Sequence, residues 1–345
     1  MLRAALIGCG RMGTTIDDEA TGGLTDPGDP RMAYSHAMGY TVVDEVDLVA
    51  VSDVLPEKVE KTQKRYNVPN GYSDYREMIQ QEQPDIASIT TRPGTHAEMT
   101  IFAAENGVKG IYCEKPMACS MAEVDQMIGA CQKNGVKFNY GTNRRYQPLY
   151  WKMRQLIEDG HIGDLQCVVC HCGGSAAQWG HTHMSDMMLY LALDADIDCV
   201  QATIGATDDD WEELQISTDP AILMAFAQFN NGVRGYHTAG SGYEFEAIGS
   251  KGVLRSCENG SWLLSRIFGR PTYEANDVVA DRGTANCIRD LAAAIENDTD
   301  TRCNVELSAK SQEMIFGFVD SGRQSGQQVS LPLVNRDLYI GRPDW

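Results

Sequence analysis

Apolar strand patterns and helix patterns alternate over the first 142 residues, and this alternation limits the fold more than any other feature of the chain. Strand patterns lie at 3–7, 46–54, 86–90, 110–115 and 136–141, and helix patterns lie at 56–66, 95–106 and 120–134. This order predicts a parallel sheet wrapped by helices on both faces. Ligands of such sheets bind at the carboxyl ends of the strands. We therefore predict a Rossmann domain over residues 1–142.

A glycine motif follows the first strand, where residues 8–13 read GCGRMG. Gly-x-Gly-x-x-Gly permits a tight turn, lets the backbone approach a pyrophosphate and brings the next helix close to the strand. The motif alone is weak evidence, but it lies between a strand and a helix, as in dinucleotide-binding proteins. We predict cofactor contacts from Gly8, Gly10, Arg11, Met12 and Gly13.

An acidic residue, Asp53, ends the second predicted strand. A carboxylate there hydrogen-bonds the adenosine ribose hydroxyls and repels the extra phosphate of NADP, so NAD is favoured over NADP. Asp53 lies 40 residues beyond Gly13, whereas about 20 is usual. Residues 17–31, or about 17–35 at the widest, are rich in Gly, Pro and Asp and predict an inserted loop, either a lid or a surface excursion.

Composition excludes several classes of protein. The 345 residues suit two domains. A formal charge of −19 disfavours binding to nucleic acid or to an anionic membrane. No run of 18 apolar residues occurs, the first residues lack a signal-peptide pattern, and the eleven cysteines are scattered and odd in number. We expect a soluble cytoplasmic protein.

The pattern changes in the second half, where strands with turn signals occupy 165–172, 199–206, 222–240 and 245–256. Asn231-Gly232 separates two alternating runs and predicts a hairpin. We predict a second domain over residues 143–345.

The stretches GCGRMG, VSDVLPEK, TRPGTHAE, CEKPMACS, GTNRRYQP and FEAIGSKGVLRS follow one another along the chain. In this order they resemble the Gfo/Idh/MocA family of oxidoreductases. The resemblance implies an α/β protein, with an N-terminal Rossmann doubly wound parallel sheet and a C-terminal α+β domain. That domain is built on a large, mainly antiparallel open sheet, which binds substrate and forms a homodimer or homotetramer. Family members mostly use NAD(P) to oxidise a secondary hydroxyl of a sugar or cyclitol, or to reduce the ketone.

The resemblance also assigns a role to Lys115, the lysine of the Glu-Lys-Pro motif. In the family this lysine binds the reacting hydroxyl and assists its proton transfer. A lysine beside the nicotinamide can stabilise a developing oxyanion, and partial burial lowers its pKa. By the same resemblance, the residues expected near the cofactor are Thr91, Arg92, Pro93, His96, Glu114 and Lys115. Arg92 has two interpretations, a contact to a substrate carboxylate or a pair with an acid of the protein.

A second catalytic element of the family has the pattern Asp-x-x-x-His-x-x-Asp. His183 and Asp186 match its second half, and the resemblance makes His183 a proton acceptor and Asp186 a hydroxyl-binding residue. Trp179 occupies the place of the leading Asp and can offer a stacking wall to a sugar ring. Either His181 takes over part of the proton relay, or the chemistry differs from the family. Arg144, Arg145 and Tyr236 complete the predicted substrate contacts.

The segment CVVCHC at 167–172 has alternative interpretations. Its C-x-x-C-H pattern is that of c-type haem attachment, which a cytoplasmic location opposes. As a strand, it places Cys170 and Cys172 on one face and Cys167 and His171 on the other, so one metal cannot collect them. We predict no metal, and the remaining alternative is a site formed by His181, His183 and Asp186 together with His237.

Three functions stay open at this point. The leading hypothesis is an NAD-dependent dehydrogenase or reductase acting on a sugar, sugar derivative or cyclitol, with Lys115 and His183 assisting proton transfer. The second is a glycoside-cleaving enzyme that oxidises the sugar transiently and returns the hydride. The third is a non-catalytic NAD-binding sensor or scaffold, against which the presence of both Lys115 and His183 argues.

Overall fold

The computed structural model describes residues 1–20, 30–240, 242–270, 272–342 and 345. Its strands are β1 (Leu2–Ile7), β2 (Val46–Ser52), β3 (Asn70–Tyr72), β4 (Ile86–Ile89), β5 (Gly110–Cys113), β6 (Lys137–Tyr140), β7 (Leu165–His171), β8 (Ser175–Ala176), β9 (Ile197–Ile204), β10 (Trp211–Glu212), β11 (Gln215–Ile216), β12 (Ala221–Phe229), β13 (Arg234–Thr238), β14 (Glu244–Gly249), β15 (Gly252–Cys257), β16 (Trp262–Ile267), β17 (Glu274–Asn276), β18 (Val329–Ser330) and β19 (Tyr339–Ile340). Its α-helices are α1 (Ile16–Ala20), α2 (His36–Thr41), α3 (Pro56–Tyr66), α4 (Tyr75–Glu82), α5 (His96–Glu105), α6 (Met121–Asn134), α7 (Pro148–Glu158), α8 (His181–Leu191), α9 (Thr284–Asn297) and α10 (Val305–Arg323).

The chain divides into two compact units rather than at one point after residue 142. The first unit comprises Met1–Ala118, Glu123–Tyr146 and Asp281–Ser308. The second unit comprises Cys119–Ala122, Gln147–Ala280 and Ala309–Trp345. The predicted boundary therefore differs from the observed division at residues 119–122, 143–146 and 281–308.

Helix α9 returns to the first unit because its apolar side packs on the parallel sheet. A side chain at Gly110 of β5 would collide with Leu291 and Ile295, so glycine allows this helix to approach closely. The amide of Asn139 on β6 donates to the carbonyl of Cys287 at 2.9 Å. Sequence patterning alone did not place this helix against the first sheet, since about 140 residues separate them.

The six strands of the first unit are all parallel and lie in the order β3-β2-β1-β4-β5-β6. The order reverses between β1 and β4, which is where open sheets of this kind bind dinucleotides. The predicted strands and helices are present in this unit, and the predicted Rossmann sheet is confirmed. The prediction missed β3 and α4, because β3 has three residues and no apolar alternation.

The second unit contains a ten-stranded sheet in which β8 pairs with β12 beside the main path β17-β16-β15-β14-β7-β13-β12-β9-β18. Its pairings are antiparallel except for β7 with β13. Helix α8 covers one face, where the Cys170 thiol lies 3.8 Å from the carbonyl of Met184. The mainly antiparallel second sheet is thus confirmed, and the segment CVVCHC is a strand as far as His171.

The predicted inserted loop begins with a helix instead. Residues 17–20 belong to α1, which carries Asp17, Asp18 and Glu19 in its first turn, where the helix dipole favours negative charge. Arg65 of α3 makes two hydrogen bonds to Asp18, at 2.7 and 2.8 Å. Residues 21–29 of the predicted loop lie outside the described residues.

None of the helices in the described part of the chain is long and apolar enough to cross a membrane.

Candidate active site

The glycine loop is shaped for close backbone approach. Gly8 has φ +95°, a conformation that favours glycine. A Cβ at Gly13 would collide with the carbonyl oxygen of Gly8, whereas a Cβ at Gly10 would meet nothing within 4 Å. Glycine at position 13 therefore allows the turn after β1 to pack closely against the following helical segment. The space around the Cα of Gly10 is open. An open backbone edge at this turn fits a pyrophosphate group.

Asp53 lies beside this loop and is held by two backbone groups. The amide of Cys9 donates to one carboxylate oxygen at 2.8 Å, and the amide of Leu55 donates to the other at 3.0 Å. Each oxygen can accept a further hydrogen bond, as ribose hydroxyls require. Arg11 is exposed, and its guanidinium pairs with Glu19 at 2.7 Å.

The loop after β4 is fastened to the glycine loop and to the Glu-Lys-Pro segment. The hydroxyl of Thr90 donates to the carbonyl of Gly8 at 2.6 Å. His96 is fully buried, with one ring nitrogen 2.8 Å from the carbonyl of Pro116 and the other 3.3 Å from that of Thr91. Burial lowers the pKa of His96. The observed role of the His96 ring is to support these two backbone segments, and its contact with the cofactor stays a prediction.

The remaining predicted cofactor residues differ in accessibility. Arg92 is exposed, Met12 and Thr91 are half-buried, and Pro93 is buried. Arg92 thus retains both of its predicted interpretations.

Glu114 and Lys115 follow β5 at the carboxyl edge of the sheet. The Glu114 carboxylate is buried, and one oxygen lies 3.1 Å from Nε2 of His36. Its other oxygen accepts a hydrogen bond from the backbone amide of Lys115 at 3.2 Å. The predicted cofactor contact of Glu114 is not supported by this orientation, because the carboxylate points into the protein. Lys115 is half-buried.

The second group of predicted residues lies on α8 in the second unit. His183 is half-buried, and its ring meets that of Tyr243 edge-on, with centroids 6.2 Å apart. Asp186, one turn further on, is fully buried. The prediction that Asp186 binds a substrate hydroxyl stays a prediction, for a residue that the packing around α8 encloses. Tyr243 had no motif that could have indicated it.

Trp179 precedes α8 and remains 48% exposed, so its indole is accessible for stacking. Its backbone amide donates to Asp219 at 2.9 Å, and the amide of Gln178 donates to the other oxygen of the same carboxylate at 2.8 Å. Asp219 thus brings a carboxylate to the segment in which the family pattern has its leading Asp. The sequence did not reveal this contact, because Asp219 lies 40 residues further along the chain.

His181 faces the interior of the second unit. Its Nε2 lies 3.1 Å from Nδ1 of His237, and its Nδ1 lies 2.9 Å from the hydroxyl of Ser185. Both histidines are fully buried. Substrate contact by His181 stays a prediction, and the observed partners of its ring are Ser185 and His237. Among the described residues, no group of three His, Cys, Asp or Glu side chains is arranged to hold a metal ion.

The remaining predicted substrate residues divide by position. Arg145 is fully buried, with a guanidinium nitrogen 3.4 Å from the carbonyl of Arg302, and its substrate contact stays a prediction. Arg144 is half-buried and belongs to the first unit. Since His237 faces α8, its neighbour Tyr236 lies on the opposite face of the sheet, against Phe226. Tyr236 therefore lies on the face of the sheet opposite α8, and its predicted substrate contact stays a prediction.

Comparison with known proteins agrees with this geometry. Residues 2–142 match the sequence model of the family described as "Oxidoreductase family, NAD-binding Rossmann fold". A scyllo-inositol 2-dehydrogenase (NAD(+)) from Bacillus subtilis (strain 168) is 26% identical over 310 residues, which cover 80% of this chain and 89% of that protein. A myo-inositol 2-dehydrogenase from Thermotoga maritima is 29% identical over 162 residues, 47% of this chain. The chain spans only 42% of that enzyme, and 39% and 36% of two further relatives.

A solved structure of levoglucosan dehydrogenase, in complex with NADH and levoglucosan, covers 96% of this chain and 99% of its own. Its TM-score is 0.76 at 19% identity, so the likeness concerns the fold. The match with the Gfo/Idh/MocA family of oxidoreductases extends over residues 2–142. The predicted fold class and NAD-binding Rossmann domain are thereby confirmed, and the predicted family resemblance is confirmed over residues 2–142.

Proposed function

We propose that this protein is an NAD-dependent oxidoreductase that moves a hydride between the nicotinamide and a secondary hydroxyl or ketone of a sugar, sugar derivative or cyclitol. The observation that carries the proposal is Lys115, a half-buried lysine at the carboxyl edge of an NAD-binding parallel sheet. The inositol dehydrogenases among the relatives support the choice of substrate class.

Bound NAD⁺ supplies the hydride acceptor. Lys115 donates a hydrogen bond to the substrate oxygen and stabilises the negative charge that develops as the hydride leaves. His183 accepts the hydroxyl proton, a task that suits a neutral imidazole near pH 7. Asp53 binds the adenosine ribose, and its charge favours NAD over NADP.

Trp179 and Asp219 shape the segment in front of His183. The exposed indole offers an apolar wall on which a sugar ring can stack. Asp219 fixes the backbone that carries this indole, through the amides of Gln178 and Trp179.

The test begins with a spectrophotometric screen of sugars and cyclitols for NADH formation at about 340 nm. Lys115→Met should lower turnover by about 10²- to 10⁴-fold, the usual contribution of a positioned acid or base, and should still bind NAD⁺. The matched control is Lys64→Met, which makes the same exchange at an exposed position of the first unit. Equal turnover in the two variants would rule out the proposed role of Lys115.

A second candidate function is favoured by Trp179 in place of the family Asp. A glycoside-cleaving enzyme would oxidise the sugar, release the aglycone and then return the hydride. Release of a chromogenic aglycone without net NADH would favour this function. Stoichiometric NADH would favour the dehydrogenase, and NAD⁺ binding without either product would favour a sensor.

We also propose self-association through the face of the large sheet opposite α8. That face carries half-buried apolar side chains, among them Val169, Phe226 and Tyr236. An uncovered apolar face of this kind indicates an interaction surface. Light scattering on the purified protein would distinguish monomer, homodimer and homotetramer.

A further inference from the structure

We propose that His36 is a positioning residue for Lys115, acting through Glu114 and a buried chain of hydrogen bonds. His36 begins α2 and is fully buried. Its ring stacks on Tyr112 of β5, with centroids 3.8 Å apart and planes inclined by 19°. The inference rests on the proposed function, because it concerns the lysine assigned to proton transfer.

The chain of hydrogen bonds runs from α2 to the end of β5. Tyr40 and Ser88 hydroxyls lie 2.8 Å apart, Ser88 lies 3.1 Å from Nδ1 of His36, and Nε2 lies 3.1 Å from the Glu114 carboxylate. If Tyr40 donates to Ser88 and Ser88 donates to Nδ1, the remaining ring hydrogen on Nε2 points at Glu114. Each hydroxyl and ring hydrogen of the chain then has an acceptor. The chain ends on the Glu114 carboxylate, which has no hydrogen to donate.

Burial makes this arrangement specific. The side chains of His36 and Glu114 are 0% and 4% exposed, and a carboxylate removed from water requires strong donors. Gly141 packs closely against the same carboxylate, since a Cβ added to this glycine would lie 2.8 Å from an oxygen of Glu114. Glu114 is therefore held by His36 on one side and enclosed by Gly141 on another.

Because Glu114 is held in place, it also holds the backbone of Lys115. Its second oxygen accepts the backbone amide of Lys115 at 3.2 Å. A rotation of the carboxylate would break that bond and release the backbone that carries the lysine. Misplacement of a reacting group by about 1 Å can cost about 10²-fold in rate.

Hydrogen bonds on both sides of His36 hold it in this position. Asp17 of α1 accepts the amides of Tyr34 and Ser35, and Ser35 caps α2 through the amide of Met38. Asp17, before residues 21–29, is thus hydrogen-bonded to Tyr34 and Ser35, which come after them. The histidine reaches the sheet although it lies 23 residues beyond Gly13.

Two matched variants test the proposal. His36→Gln keeps an amide donor at the position of Nε2, whereas His36→Asn keeps one only near Nδ1 and loses the donor to Glu114. We expect His36→Asn to lower kcat at least tenfold while the NAD⁺ Kd changes less than about threefold, and His36→Gln to recover most of the loss. Thermal unfolding of both variants measures any shared effect on stability. Equal losses of kcat in the two variants would overturn the proposal.

A second readout does not depend on turnover. Reductive ¹³C-methylation labels lysines, and the Lys115 resonance is the one missing in Lys115→Arg. We expect this resonance to shift in His36→Asn and to return in His36→Gln; an unchanged resonance in His36→Asn would overturn the proposal. If the wild type oxidises no sugar or cyclitol but the resonance shifts, the proposed function fails and the positioning role stands.

Discussion

The buried pair of His181 and His237 predicts that the second unit loses stability in mild acid. Ser185, His181, His237 and the carbonyl of Gly173 form a continuous chain, with the last contact at 2.6 Å. Because His237 donates to Gly173 through Nε2, its Nδ1 accepts from His181. Burial lowers the pKa of each ring, which favours the neutral rings that this arrangement requires.

The sign and size follow from proton linkage. In the unfolded chain both histidines take up protons near their ordinary pKa of about 6.5, whereas the folded rings do not. The contribution to stability is complete above that pH and is lost as pH falls below it. From pH 7.5 to pH 5 the loss reaches about 2 kcal/mol for each ring that stays neutral in the folded state.

The assay is urea unfolding, followed by near-ultraviolet circular dichroism at pH 7.5, 6 and 5. His181→Gln keeps a donor toward His237 but removes one titrating ring. The variant should have a lower free energy of unfolding than the wild type at pH 7.5. The difference between the two free energies should be smaller by about 2 kcal/mol at pH 5. Parallel curves of stability against pH for the two proteins would refute this reasoning, because they would show that His181 does not titrate differentially.

Two further predictions concern the cofactor. Asp53→Asn should weaken NAD⁺ binding by about tenfold, since hydrogen bonds to a charged acceptor are worth about 1.5–3 kcal/mol. The same variant should have a smaller preference for NAD⁺ over NADP⁺. Fluorescence titration with both cofactors measures the two Kd values. An unchanged ratio of the two Kd values would remove Asp53 from cofactor selection. Gly13→Ala should lower the free energy of unfolding by about 1–3 kcal/mol, because its Cβ meets the Gly8 carbonyl, whereas Gly10→Ala, with open space, should not. Equal melting temperatures in these two variants would contradict the packing role of Gly13.

The first sheet was predictable because its information is local. Each buried strand has its own apolar run, each helix its own period, and the glycine motif marks the turn between β1 and the residues that follow. The ligand edge then follows from topology alone, since parallel strands end on one side. The sequence by itself therefore determined the fold class, the NAD-binding Rossmann domain and the place of Asp53 and Lys115 at the ends of their strands.

The tertiary structure decided which polar residues are accessible. His181, Asp186 and Arg145 have the composition of binding residues, yet each is fully buried, and burial depends on partners far away in the chain. The contacts of Asp219 with Trp179 and of His36 with Glu114 join residues 40 and 78 positions apart. No periodicity or motif encodes such pairs, because they form only when separate elements pack together. The sequence specified the strand ends at which the candidate residues lie, and packing specified which of their side chains are exposed.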